Sequence, residues 1–409
     1  MTTNVLAAVD AHKGNDVTVT AEDHTLGLQA EHTIGSPVGI YAGNGKSVEV
    51  IAEKLNVITK GLEGGNSRTN AIWLDAGKTG DNHITVQAGQ TNIAMLGGYG
   101  GNGIAIMKTN RFGEASKEAS GKNTITFSGN VNIKGTDTAH WGISLNPDNV
   151  YSRFNNAGIL ANVTNSEIEV KGQVDFDVYG NGITVNAPGS KVSVGGGIIT
   201  VPTGMSYGYY TLGAYEGTIN VNTGVNGNTP GQNRVQLNGD VFVRNGATAN
   251  IALNGRDSYL QGVVDNGGSV NLWMKNGAIW QNEARNRRYS DDNEDVGSYG
   301  ASHINRLIGG DSETEAGRII QKSEKDITID RYEGKVRVDY GTMVQQGGGV
   351  VIHRAQRDSG IFLSGNTMDC SSGETLNALA SKLTYTGYTE GERNLKGSVS
   401  VQELSLIHI

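Results

Sequence analysis

The sequence predicts an all-β chain wound as a single-stranded parallel β-helix, and three observations lead there. Apolar and polar residues alternate over long stretches, glycine-centred corners separate those stretches, and a unit of three short strands recurs along the chain. The first two are plain between Asn233 and Trp280. Val235, Leu237, Val241, Val243, Ala249, Ile251 and Leu253 all occupy odd positions with polar residues among them, the period-two pattern of strands with one buried face. Asn238-Gly239, Asn245-Gly246, Asn254-Gly255, Asn266-Gly267 and Asn276-Gly277 interrupt these runs, and Asn-Gly suits corners at which φ turns positive.

The third observation begins near the N-terminus. A Gly-aliphatic pair opens a short strand, a polar corner follows, and a second strand comes next. Gly39-Ile40 leads in this way to Ser47–Val50, Gly158-Ile159 to Ser166–Val170, Gly182-Ile183 to Ser190–Val194, and Gly208-Tyr209 to Thr218–Val221. Ala71-Ile72, Gly103-Ile104 and Gly142-Ile143 are variants, and a further strand-like piece lies between modules, as at Leu55–Gly61, Val131–Gly135 and Val174–Gly180. Three strands per unit of about 24 to 39 residues is what one coil of a parallel β-helix requires. At a coil spacing of about 4.8 Å, about 13 to 16 coils would form a rod of about 60 to 75 Å. A β-sandwich or antiparallel barrel competes, since Asn-Gly serves hairpins equally well; the recurring three-strand unit is what favours coiling.

Composition sets limits on function. Sixty glycines against five prolines, with apolar strand residues between the glycines, indicate many corners rather than a disordered linker. A formal charge of −8 with only 18% charged residues makes a poor partner for a phosphate backbone, so nucleic acid is not an expected ligand. Cys370 is the only cysteine, which excludes an intrachain disulfide. No apolar run reaches the length of a membrane helix, and the opening residues lack a basic region followed by an apolar core.

Residues 1–300 are expected to be coils, with a charge-rich loop at 281–300 that has no strand period. Strands resume at Asp326–Asp330, Lys335–Tyr340 and Gly349–His353 within a C-terminal set of coils spanning 301–403. One amphipathic helix is expected over 371–383. Leu376, Leu379, Ala380 and Leu383 form its stripe, and Ser371 with Glu374 forms a capping box. Its expected role is to cover a flank or seal a cross-section. Residues 404–409, LSLIHI, read as a non-native tail.

The run Gly262–Glu283 (GVVDNGGSVNLWMKNGAIWQNE), the segment Ser302–Gln321 (SHINRLIGGDSETEAGRIIQ) and the stretch Leu376–Val401 together resemble the passenger domains of large autotransporters of diderm bacteria. The resemblance is close over about residues 233–401 and general before that. It implies a right-handed parallel β-helix displayed at the cell surface, tethered to the outer membrane by a C-terminal translocator β-barrel. It also implies that the C-terminal coils and their helix seed folding after secretion. No alternating barrel segment follows Val401, so the expectation is an internal stretch of a longer gene, itself without membrane insertion. The implied role is adhesion or cell-cell contact with host or bacterial surface molecules, glycan or protein.

Pectate lyases and polygalacturonases share the β-helix architecture, so catalysis needs its own test at the residues. Asp291, Asp292, Glu294 and Asp295 beside Arg285, Arg287 and Arg288 are the nearest match to the acidic-basic groups of such enzymes. They share one loop without an alternation that aims them at a substrate. A solvated loop is the first reading, a calcium or partner contact the second and catalysis the last. Arg285, Arg287, Arg288, Asp291 and Asp292 are therefore the expected loop contacts of a non-enzymatic chain. Gly309-Gly310-Asp311-Ser312 lacks the Gly-x-Ser-x-Gly of a nucleophile turn. The eight histidines show no metal-binding spacing, and neither metal nor cofactor is expected. Glycine runs at 97–103 and 195–197 read as corners rather than phosphate loops. Trp73, Trp141, Trp273 and Trp280 read as ordinary surface or stacking aromatics. Two further alternatives stand: a polysaccharide-active lyase or glycosidase, and a purely structural surface filament.

Overall fold

A computed structural model describes residues 5–11, 14–32, 36–61, 69–76, 80–97, 101–108, 118–136, 157–203, 209–285, 300–340, 348–356, 359–364, 382–385 and 398–401. The described residues are all-β, and every strand-strand ladder is parallel. Each turn of chain gives one strand to each of three faces, an arrangement consistent with a β-solenoid. Four early strands (Val17–His32, Ser47–Gly61, Asn181–Val194, Tyr210–Val221) bend through a corner and serve two faces. Hydrogen bonds therefore connect all the strands into one sheet.

Register shows the coiling directly. On the first face Val9, Ile40, Ile72, Ile104, Ile159, Ile183, Leu212, Val241 and Val264 sit one above another. On the second, Val50, Val86, Phe127, Val170, Val194, Val221, Ile251, Leu272 and Leu307 do the same. The third carries Leu28, Val57, Ile93, Ile133, Phe176, Ile199, Leu237, Leu260, Trp280, Ile319, Val338, Leu363 and Val401. Those thirteen rungs, at the usual parallel spacing, make a stack of about 58 Å. Val235, Leu237, Val241, Val243, Ala249, Ile251 and Leu253 all point inward, none more than 1% exposed. They belong to one apolar cluster running from Val9 to Ile361, and each such side chain contributes about 1.5 to 3 kcal/mol by leaving water.

The Gly-aliphatic module now has a cause. A Cβ at Gly103 would lie 2.7 Å from the Gly158 carbonyl oxygen and 2.7 Å from Ile133 of the third face, and one at Gly158 would lie 2.8 Å from the Gly182 oxygen and 3.0 Å from Phe176. Glycine lets the first face close onto the third, and the aliphatic after it enters the core. The fourth instance is shifted: Leu212, not Tyr209, stacks on Ile183. The coil from Ile104 to Ile159 exceeds the expected unit length, because residues 109–117 and 137–156 lie within it.

The faces differ. The second and third alternate buried with partly exposed residues, as at Asn123–Phe127. First-face strands such as Thr69–Asp75 and Ala157–Ala161 are buried on both sides, which is why Ala71–Leu74 and Ala157–Ala161 show no apolar-polar alternation. On the outward side of that face Tyr41 packs on Trp73 at 4.8 Å. The Trp73 Nε1 donates to the Met107 carbonyl at 3.2 Å, and the Tyr41 hydroxyl donates to Asp75 Oδ2 at 2.9 Å. In-register stacking also aligns like residues outside the core, where a side-chain amide can bond to its copy one rung away. Asn92 Nδ2 donates to Asn56 Oδ1 at 2.8 Å, and Asn250 and Asn271 continue a similar ladder from Asn220 at 2.9 and 2.8 Å.

Two tyrosines make the core sensitive to alkali. Burial first, and charge on Tyr179 second, push the Tyr209 hydroxyl up to about 12; burial likewise raises Tyr340, with Asp326 adding to it. An unfolded chain ionises tyrosine near pH 10 while the folded chain holds these two protonated. Stability should therefore be intact below pH 10 and fall as pH rises from 10 towards 12, by on the order of 1 kcal/mol per pH unit for each group. Urea midpoints measured across that window check this, and Tyr209→Phe should flatten the slope.

The expected helix over 371–383 needs correction at its end. Ser371, Glu374, Leu376 and Leu379 lie outside the described residues, but Leu383 begins the strand Leu383–Tyr385 and pairs with Val350. No helix occurs among the described residues. At Leu383 the next rung's ladder overrides the local 3.6-residue pattern.

Candidate functional site

The corner between the first and second faces turns the same way in coil after coil. Gly121 (φ 85°), Asn165 (56°), Gly189 (70°), Gly217 (87°) and Gly246 (86°) each take a left-handed conformation there. Gly217 has a second reason to lack a side chain, since a Cβ would run into the Ser190 carbonyl of the coil before. The turns are fixed locally: the Ser166 hydroxyl donates to the Val163 carbonyl, and Ser190 repeats that bond one coil later to Ala187 at 2.6 Å.

Stacking these bare corners leaves a groove of about 870 Å³ between Gly121 and Gly246. Its charged lining comes from Lys122, Glu167, Lys191 and Glu216, and its neutral polar lining from Asn165, Thr218 and Asn245 among others. Glu167 lies between two lysines, with Lys191 Nζ at 2.7 Å and Lys122 Nζ at 3.7 Å. Pairs this exposed contribute about 0 to 1 kcal/mol, so the ammonium and carboxylate groups can exchange partners at little cost.

An aromatic cluster stands on the first-face strands that run into two of these corners. Phe242 stacks on Tyr210 with centroids 5.0 Å apart and meets Tyr215 at 5.0 Å in a tilted contact. Gly213 lies beneath, where a Cβ would approach the Tyr215 ring to 3.2 Å. Tyr215 leads directly into Glu216 of the groove wall, and Phe242 stands three residues before Asn245. Both Phe242 and Tyr215 are partly exposed.

Of the expected loop contacts, Arg287, Arg288, Asp291 and Asp292 lie outside the described residues, and Arg285 is described at the root of that segment. Its backbone N–H donates to both carboxylate oxygens of Asp240, at 3.0 and 3.2 Å, and the Val263 N–H donates to Oδ1 at 3.0 Å. Asp240 is fully buried. A buried carboxylate that gathers backbone donors acts as an anchor, and here it fixes the point from which the charged segment departs. In sequence Asp240 is only the polar start of a strand.

Among the tryptophans Trp280 departs furthest from expectation, while Trp73 packs on Tyr41 as a stacking aromatic. Trp280 is fully buried in the third-face ladder, with Nε1 donating to the Gly262 carbonyl at 3.0 Å. Trp73 is buried on the outward side of the first face at 4% exposure. Trp273 points outward between inward Leu272 and Met274, yet is only 9% exposed. Trp141 lies outside the described residues. In each described case neighbouring rungs supply a cover that the sequence around the residue does not reveal.

At Gly309-Gly310-Asp311-Ser312 the backbone is engaged in pairing: Gly310 and Lys335 exchange bonds at 2.9 and 2.8 Å, and the Ser312 hydroxyl meets Thr314 Oγ1 at 3.0 Å. Gly196 and Gly197 are corner residues with φ of 110° and 117°. Among the described residues no three His, Cys, Asp or Glu converge as metal ligands would.

Set against protein-family models, curated proteins and solved structures, the chain matches none. Those comparisons do not connect it to autotransporter passengers.

Proposed function

We propose that the chain is part of an autotransporter passenger: a non-catalytic stalk at the bacterial cell surface, tethered through an outer-membrane barrel, that acts in adhesion or cell-cell contact. The proposed fold in full is a right-handed single-stranded parallel β-helix, the hand that parallel crossovers take almost without exception. The observation that carries the functional reading is where most of the long connections between strands fall. Residues 62–68, 137–156, 201–209, 283–301, 340–349 and 365–382 connect the third face of one coil to the first face of the next, while 108–122 and 222–234 are long connections at the other two corners. The corner from second to third face is short in most coils, with only Ala88-Gly89 between Gln87 and Gln90. A constant stack whose length variation falls mainly at one corner can change its contacts without disturbing its core. Many copies on one cell would give weak contacts avidity.

The test is to recover the source gene by amplifying outward from the codons for 262–401 and sequencing through both ends. An export signal upstream and an outer-membrane barrel downstream are the expected result. A stop codon soon after Val401 with no barrel would overturn the passenger reading.

A further inference from the structure

We infer that the groove along the corner between the first and second faces binds a neutral linear glycan lying parallel to the coil axis. This deepens the adhesion reading by naming a ligand class, and rests on it only for its setting. Shape is the first argument. The groove crosses five rungs, from the corner at Gly121 to that at Gly246, a length of about 19 Å at the coil spacing. At two of its five corners, Gly189 and Gly246, an added Cβ would meet nothing within 4 Å, so an extended chain can approach the backbone there.

Charge is the second argument. Lys122 and Lys191 offset Glu167 and Glu216, so the lining favours neither a polyanion nor a polycation. These side chains, with Asn165, Thr218 and Asn245, present donors and acceptors in alternation along the axis. That is the chemistry that recognises a succession of hydroxyl groups. Tyr215, partly exposed and directly before Glu216 of the groove lining, packs on Phe242 and extends the site with ring surface for the apolar face of a sugar.

Backbone pairing is the third argument, and it separates a glycan from a peptide. A peptide adding as a strand would need an open strand edge, whereas backbone groups at this corner are used between rungs. The Asn123 N–H donates to Asn165 at 2.9 Å, and the Lys122 carbonyl accepts from Asn82 at 3.0 Å.

The experiment is calorimetric titration of the purified chain with cellohexaose, maltohexaose and chitohexaose, with heparin and polygalacturonate as charged comparators. Two plugged variants, Thr218→Trp and Asn245→Trp, accompany it; Asn245 is exposed at the groove rim, so its variant keeps the test valid if the other fails to fold. At least one neutral hexasaccharide should bind with Kd below about 1 mM, and a plug should weaken it by about tenfold or more with the thermal midpoint unchanged. Binding only to the charged polymers, no neutral binding below about 10 mM, or undiminished binding to a folded plugged variant would overturn the inference. A parallel assay on cells distinguishes the two readings. Cell binding that ignores the plugs sinks the groove and leaves adhesion standing; hexasaccharide binding without cell binding sinks adhesion and leaves the groove.

Discussion

Replacing Trp280 by alanine should lower stability by about 3 to 5 kcal/mol, the range for removing a large buried aromatic. The indole is completely buried, stacked between Leu260 and Ile319 of adjacent rungs. Its loss opens a cavity that the neighbouring coils cannot collapse to fill, because their spacing is held by parallel ladders on both sides. Trp280→Phe separates packing from polarity. It keeps most of the ring volume but leaves the Gly262 carbonyl without the 3.0 Å bond, a further cost of about 1 to 3 kcal/mol for an unsatisfied buried group. Because each rung touches only its neighbours, the damage should concentrate in the coils around it. Hydrogen exchange should quicken first at 259–261 and 318–321, ahead of the N-terminal rungs. A urea midpoint shift worth less than about 1 kcal/mol would show that the stack can close over the gap, contrary to this account.

The solenoid was legible because its rule is local. Alternation between Val235 and Leu253 marks inward residues, and most Asn-Gly corners do take positive φ, at Gly239, Gly246, Gly255 and Gly277. What sequence does not contain is the partner one rung away, since the coil length is irregular. Ile104 stacks on Ile159 but Val241 on Val264, and no fixed period connects such pairs. The candidate site suffers most from this. Its residues come from five coils and share no motif; the only trace in sequence is a recurrence of Gly or Asn before a short polar-apolar strand. The burial of Trp280 and Asp240 is invisible in sequence for the same reason, because what covers each of them lies in another coil. At Leu383 the helical stripe was real as a pattern, and the ladder from Val350 nonetheless determines the local structure.

The glycines of the recurring module allow a sharper test of stacking than any apolar residue. Gly182→Ala should destabilise by about 3 kcal/mol, at the upper end of the usual range for overpacking. The cause is space, not backbone conformation, since Gly182 is not among the residues with positive φ. A methyl there would overlap Ile199 of the third face and lie 2.5 Å from the Thr211 carbonyl oxygen of the next coil. The first obstacle is a core side chain without room to retreat, and the second is backbone tied into the ladder. Gly189→Ala is the matched control seven residues away. Its φ is 70° but no atom lies within 4 Å of the added Cβ, so only the left-handed penalty of about 1 to 2 kcal/mol applies. Comparing the two variants by urea denaturation isolates the steric cost of one coil's approach to the next. If Gly182→Ala proves no worse than Gly189→Ala, the rungs can shift to admit a methyl group, and the Gly-aliphatic module is not the packing signature that orders the first face.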